Sequence, residues 1–189
     1  MTFARAFLFL LGLSPASALC GCGSSQPNTE EAAPVAEDAS TTFIAFASNF
    51  SNFQSWTHYP ALGVADGGAG DPVHTDPTLV EYINQRAPSA SSPFPVGTII
   101  VKEGSEGDPL TRQFFAMVKR GGDYNATGAI GWEWFELQNQ ADPPNSVSII
   151  WRGFGPPAGE IYGGDAKAGC NECHLGAPHD FVFADQAIE

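Results

Sequence analysis

Four apolar runs occupy residues 98–102, 113–120, 130–137 and 147–152, each rich in β-branched and aromatic side chains. The breaks between them include Gly121-Gly122-Asp123 and Asp142-Pro143-Pro144-Asn145, which is turn chemistry. Connections this short join antiparallel neighbours. Upstream the period changes: Phe43, Phe46, Phe50 and Phe53 recur at spacings of three and four, which predicts one or two short amphipathic helices carrying a phenylalanine stripe into the core. Asp76-Pro77 reads as the cap and first position of a further helix, with Leu79, Val80 and Ile83 on one face and Pro88 ending it. Residues 65–70 form a glycine-rich loop, and the proline and serine cluster at 88–95 links into the sheet. The segment 164–177 is read as a helix or helical turn. The order predicts an α+β domain, a mainly antiparallel sheet with a few short helices and one C-terminal helix.

The N-terminus does not fit that domain. Arg5 precedes an apolar stretch from residue 6 to 13, too short to span a bilayer but suited to a signal peptide. Leu19-Cys20-Gly21-Cys22 resembles a bacterial lipobox, which implies cleavage after residue 21 and diacylation of Cys22. Gly23, rather than an aspartate, follows Cys22 and resembles outer-membrane destiny in such signals. Ordinary soluble secretion is the alternative. Residues 22–40 have almost nothing to bury and read as a flexible tether, leaving 41–189 as the folded domain. That places the domain in the cell envelope, facing the periplasm from a lipid anchor.

Composition narrows the function classes. With 8 basic against 21 acidic residues the net charge is −13, which repels phosphate backbones and disfavours nucleic-acid binding. A basic or neutral redox partner protein is electrostatically acceptable. Glycine (21), proline (15) and phenylalanine (14) are abundant, in keeping with many turns around an aromatic core rather than long helices.

The chemistry concentrates in Cys170-Asn171-Glu172-Cys173-His174, with fifteen residues following. Two cysteines three apart on one helical turn can each add across a haem vinyl group, and the histidine directly after can ligate the iron. One covalently attached haem c, held by Cys170 and Cys173 with His174 as metal ligand, is the expected cofactor. A Cys170 to Cys173 disulfide and half of a zinc site are the alternatives; zinc would need a second ligand pair, and the remaining cysteines, Cys20 and Cys22, lie in the leader. Cleavage of Cys20, lipidation of Cys22 and haem on the other two would leave no thiol unassigned. Met117 lies inside a predicted strand, where a core role is expected. His58, His74 and His179 are candidate sixth ligands, though a lone histidine is more often a surface or satisfied core residue. An open, five-coordinate iron is therefore expected.

Phe94-Pro95-Val96-Gly97-Thr98-Ile99-Ile100-Val101-Lys102-Glu103, then a sheet, then the haem motif, Asp180 and Val182-Phe183, resemble the cytochrome P-460 and cytochrome c-prime-beta family. Asn52-Phe53-Gln54-Ser55-Trp56 and Val73-His74-Thr75-Asp76-Pro77 resemble stretches ahead of the lysine strand. The resemblance implies a largely antiparallel fold, a homodimer, and five-coordinate haem on His174. It also divides by chemistry. One kind of member oxidises hydroxylamine or related nitrogen species, helped by a lysine bonded to the haem edge, here Lys102, and by a distal carboxylate. The other binds nitric oxide or similar small ligands under a phenylalanine cap.

The strand expected over the haem reads Arg112-Gln113-Phe114-Phe115-Ala116-Met117-Val118, and Phe115 falls where the enzyme's acid would sit. A benzyl group cannot remove a proton as a carboxylate does. Ligand binding is therefore expected over hydroxylamine oxidation, with plain electron transfer a third reading. Consecutive strand residues face opposite ways, so one of Phe114 and Phe115 caps the site and the other packs in the core. Glu133 and Glu136, on opposite faces of the next strand, are expected as solvated carboxylates or as replacement bases. Lys102 shares a face with Thr98 and Ile100, either solvated or directed to the haem edge.

Overall fold

The computed structural model describes residues 41–60, 79–87, 92–104, 108–110, 112–160 and 169–183. The expected signal peptide, Cys22, the tether, His74, the glycine-rich loop and Asp76-Pro77 lie outside these residues. The chain divides into a unit ending at Ala36 and a second from Glu37 onward, and the second holds everything described below.

Six strands form one antiparallel sheet in sequential order: β1 (Thr57–Pro60), β2 (Val80–Ile83), β3 (Ile99–Glu103), β4 (Gln113–Lys119), β5 (Trp132–Gln140) and β6 (Ser146–Gly153). Strands β3 to β6 fall where the apolar runs predict them. Two features of the N-terminal half differ from expectation. β1 has no counterpart in the sequence reading, and Val80–Ile83 is a strand where a helix was expected. The spacing of Val80 and Ile83 fits a helical face, but four residues are too few to establish a period. The register decides: Glu81 pairs with Tyr59 on one side and Lys102 on the other, so the segment completes a ladder that a helix would leave unpaired. Val80 and Ile83 consequently face opposite ways.

The phenylalanine stripe does form short helices, of the 3-10 kind, at Ala47–Phe50 and Phe53–Ser55. Asn52, left-handed with φ of 59°, makes the corner between them. Phe50 and Phe53 are fully buried, whereas Phe46 is exposed. The C-terminal helix α1 spans Cys170–His174, shorter than the expected segment. The turn after β4 needs glycine: Gly121 has φ of +85°, and a Cβ there would meet the Thr41 carbonyl oxygen at 2.7 Å.

Strand alternation splits the interior into two cores, one on each side of the sheet. The first, a phenylalanine face, gathers Phe50, Phe53, Phe114 and Phe135 with Ile99, Val101 and Val118 beneath the 3-10 turns. The second, a tryptophan face, gathers Trp132, Trp134 and Trp151 with Ile83, Phe94, Ile100, Met117 and Val182. Cys170 packs against this second core, so α1 lies on the tryptophan side. A β-bulge between Glu136 and Leu137, opposite Ile149 and Trp151, leaves Ile150 unpaired and exposed.

Candidate haem site

A row of directly opposed residues crosses the tryptophan face from edge to edge: Tyr59, Glu81, Lys102, Phe115, Glu136 and Trp151. Cross-strand neighbours on one face touch, so the sheet brings together groups that are distant in sequence. Lys102 does not reach solvent as an ordinary strand lysine. Its Nζ lies 2.9 Å from Glu81 Oε1, with the side chains 13% and 5% exposed. Phe115 stands between this ion pair and Glu136, half-buried, its ring 6.3 Å from that of Trp151. Phe114 points the other way, 4.8 Å from Phe53 in the phenylalanine core. Phe115, not Phe114, therefore shares a face with Lys102.

Both strand glutamates are buried, contrary to the expectation of solvated carboxylates, and their fates differ. Glu133 lies on the phenylalanine side, where Arg152 donates to both carboxylate oxygens at 2.8 and 2.7 Å and Arg120 adds a third contact at 3.3 Å. It is a structural anion. Glu136, 5% exposed, has no cation against it among the described residues; one oxygen accepts a hydrogen bond from the Trp151 indole. Burial, and secondarily the charge of Glu160, push its carboxyl above the usual range, while the indole bond opposes that rise. A buried carboxyl held above its usual range beside a phenylalanine takes up a proton more readily than a solvated one.

On the same side α1 presents the motif. Cys170 is half-buried and Cys173 exposed. The His174 ring sits 4.6 Å from Trp134 and 5.3 Å from Phe183, and its Nδ1 lies 2.6 Å from the Phe181 carbonyl oxygen. With Nδ1–H donating to that carbonyl, Nε2 is the nitrogen that carries the lone pair, as an iron ligand requires. The carbonyl is brought round by two successive left-handed residues, Asp180 (φ 44°) and Phe181 (φ 66°). Asp180 is clamped in turn. Its carboxylate accepts from Lys119 Nζ at 2.7 Å and from the Phe94 backbone N–H at 2.9 Å. Phe94 and Asp180, read separately as parts of one pattern in the sequence, are thus joined directly.

These residues fit a covalently held haem. Two thiols on one turn, an imidazole held through Nδ1 and an aromatic sheet face would supply attachment, ligation and a dry wall to such a group. The Tyr59 hydroxyl, on that face, is buried without a hydrogen-bond partner among the described residues. Among the described residues no three of His, Cys, Asp and Glu converge to hold a bare metal ion, so the zinc alternative finds no second ligand pair there. His58 pairs with Tyr82 on the phenylalanine side, away from Lys102. His179 stacks on Phe94, with Nε2 at the Ser92 carbonyl, and Met117 is core.

Sequence reasoning missed Glu81, Trp134, Tyr59 and the role of Asn171. Glu81 was hidden by the helix expectation. Asn171 stood inside the motif, where the variable position carries no attachment chemistry of its own. Comparison of the chain with family models, with curated proteins and with solved structures returned no match.

Proposed function

We propose that this chain is a c-type haem protein of the bacterial cell envelope whose five-coordinate iron binds, or slowly turns over, nitric oxide or a related small nitrogen ligand. The observation that carries the reading is the docking of the Cys170–His174 turn against the tryptophan face, with the His174 imidazole oriented through Nδ1. Haem held there would supply a ferrous or ferric centre with one open coordination position. The chain's own residues do the rest: Cys170 and Cys173 form the thioether links, His174 ligates, and Phe115 keeps water and bulky polar ligands from the sheet side. A screened apolar approach favours small, weakly polar diatomics. Attachment of Cys22 to lipid, a periplasm-facing domain and assembly as a homodimer belong to the same proposal. A redox partner protein would exchange electrons with it. No helix among the described residues is long and apolar enough to cross a membrane.

A second reading, oxidation of hydroxylamine with Lys102 bonded to the haem edge, gains from one observation. The strand over the face lacks an acid, but Glu136 stands directly opposite Phe115 in the adjoining strand. It could take the proton that such an oxidation releases. Lys102 lies on the required face, although its pairing with Glu81 engages the amine that would have to attack.

Peptide mass spectrometry together with the resting ferric spectrum tests both readings. The expected result is haem mass on the peptide containing Cys170 and Cys173, a high-spin five-coordinate spectrum, and rapid nitric oxide binding on stopped-flow mixing. Turnover of hydroxylamine with an electron acceptor, with haem mass also on the Lys102 peptide, would move the conclusion to the second reading. A six-coordinate low-spin spectrum would replace both with electron transfer, and absence of haem would end all three.

A further inference from the structure

We infer that Asn171, the residue between the motif cysteines, is a positioning residue that docks the attachment turn on the sheet and, through Trp134, sets the ring of His174. The inference rests on the haem reading above. It begins from size: α1 has five residues, too few to hold a helical conformation without tertiary contacts.

Asn171 is the buried residue of the turn, 1% exposed. Its Oδ1 accepts from Asn125 Nδ2 at 2.7 Å, from the Trp134 indole Nε1 at 2.9 Å and from the Ala129 backbone N–H at 3.2 Å. Its Nδ2 donates to the Phe154 carbonyl at 2.8 Å and to Asn125 Oδ1 at 3.1 Å. Both donors and the acceptor of one amide are therefore used, by the 121–131 loop, by β5 and by the chain just beyond β6. The pocket is shaped to this side chain. A Cβ on Gly128 would collide with the Asn171 amide, and Asn125 adopts the left-handed region, φ 58°, with its own Nδ2 also bound to the Trp132 carbonyl.

Trp134 carries the constraint onward. Its indole N–H is fixed by Asn171, while the ring stands 4.6 Å from the His174 imidazole at an interplanar angle of 54°. The imidazole is fixed from a second direction by the Phe181 carbonyl. These contacts and the Phe183 ring, 5.3 Å away, bound its orientation, and the one with Trp134 exists in its present form because Asn171 accepts from the indole. Without that acceptor a buried indole N–H turns toward another partner, and the wall against His174 turns with it.

The test uses two variants of the full-length protein, prepared with and without haem. Asn171→Leu, close in size, removes the acceptor used by the Trp134 indole and the Ala129 amide together with the donors to the Phe154 carbonyl and Asn125 Oδ1. Gly128→Ala pushes on the same amide from outside and removes no hydrogen-bonding group, so it serves even if the first variant fails to fold. In the haem-free protein, hydrogen exchange at the Trp134 indole and the Ala129 amide should quicken relative to the amides of β4. In the haem-loaded ferrous protein, the iron–histidine stretching band should shift and nitric oxide affinity should fall by about tenfold, as when other groups that orient a metal ligand are removed. Val147→Ala, which weakens the opposite core, should lower stability and leave both the band and the relative exchange in place. An unchanged band and unchanged Trp134 exchange in both variants would overturn the inference. If the wild-type motif peptide carries no haem, the haem reading falls alone, and exchange at Trp134 still decides whether Asn171 fixes the turn.

Discussion

The two faces of the sheet solve the same burial problem in different ways. On the phenylalanine side every buried charge is answered: Glu133 takes two arginines, and Glu103 takes Arg112 and Asn139. Ring packing is dense, with Phe50 5.2 Å from Phe135 and Phe53 5.2 Å from Tyr82. The tryptophan side leaves debts. Among the described residues Glu136 has no cation and the Tyr59 hydroxyl has no hydrogen-bond partner, although Lys102 is met there by Glu81. A protein seeking stability alone would satisfy these groups or replace them by apolar ones. The difference sets a face whose buried charges are met against one that, among the described residues, leaves polar groups unmet, and the haem proposal draws on the second.

Adjacent phenylalanines give the sharpest test of that contrast. Phe114→Ala opens a cavity in a fully packed core and should cost about 3–5 kcal/mol of unfolding free energy. Phe115→Ala, from the half-buried neighbour, should cost about 1 kcal/mol or less while speeding ligand entry. Chemical denaturation of the haem-free protein measures the first difference and ligand-binding kinetics the second; equal stability losses would erase the distinction between the faces.

A smaller effect, opposite in sign, is expected at the two glutamates of β5. Glu133→Gln strips two guanidinium groups of their counter-charge and should destabilise by about 2–3 kcal/mol, less than for a wholly buried pair because both arginines reach solvent. Glu136→Gln keeps an acceptor for the Trp151 indole and removes a buried charge, so it should be neutral or stabilising by up to about 1 kcal/mol at pH 7. Destabilisation by both substitutions would mean that Glu136 has a partner of structural weight.

The pH response should be the smallest of the three effects. Glu136 and Glu103 both have carboxyls raised above their usual range, chiefly by burial. A folded-state pKa above the unfolded value means that the folded protein binds the proton more tightly. The resulting stability is complete below the ordinary carboxylate pKa and is lost as pH rises through the raised values. Thermal midpoints should therefore decline across that window, and less steeply in Glu136→Gln. An identical slope in the variant would show that Glu136 titrates alike in the folded and unfolded chains.

Much of this was legible in the sequence, for reasons that can be named. Strands β3 to β6 announce themselves because long β-branched and aromatic runs are cut by Gly-Gly and Pro-Pro turns. The opposed directions of Ile99 and Lys102 follow from alternation, and the motif is readable because its spacing is its chemistry. β1 and β2 were hidden because four residues cannot establish a period, and Asp76-Pro77 is a helix-start signal. Glu136 was visible as a residue but not as a neighbour: that it faces Phe115 is a fact of register between two strands, which no single strand encodes. The Asn171 network draws on Asn125, Ala129, Trp134 and Phe154, four positions with nothing in common until the chain is folded.

Ile150, the unpaired residue of the bulge, acts as a change of parity within β6. Val147 and Ile149 face the phenylalanine side, and plain alternation would send Trp151 after them and Arg152 to the other face. The extra residue reverses both assignments. It delivers an indole to Glu136 and a guanidinium to Glu133 in the same step. Drawing Ile150 into the regular ladder, without the bulge, would exchange the two side chains, stranding an arginine among tryptophans and leaving each glutamate with the other's partner on the wrong side; deleting it would keep both side chains on their present faces in an unbulged strand. An exposed residue skipped by the ladder thereby marks the point that decides which side chain meets which glutamate.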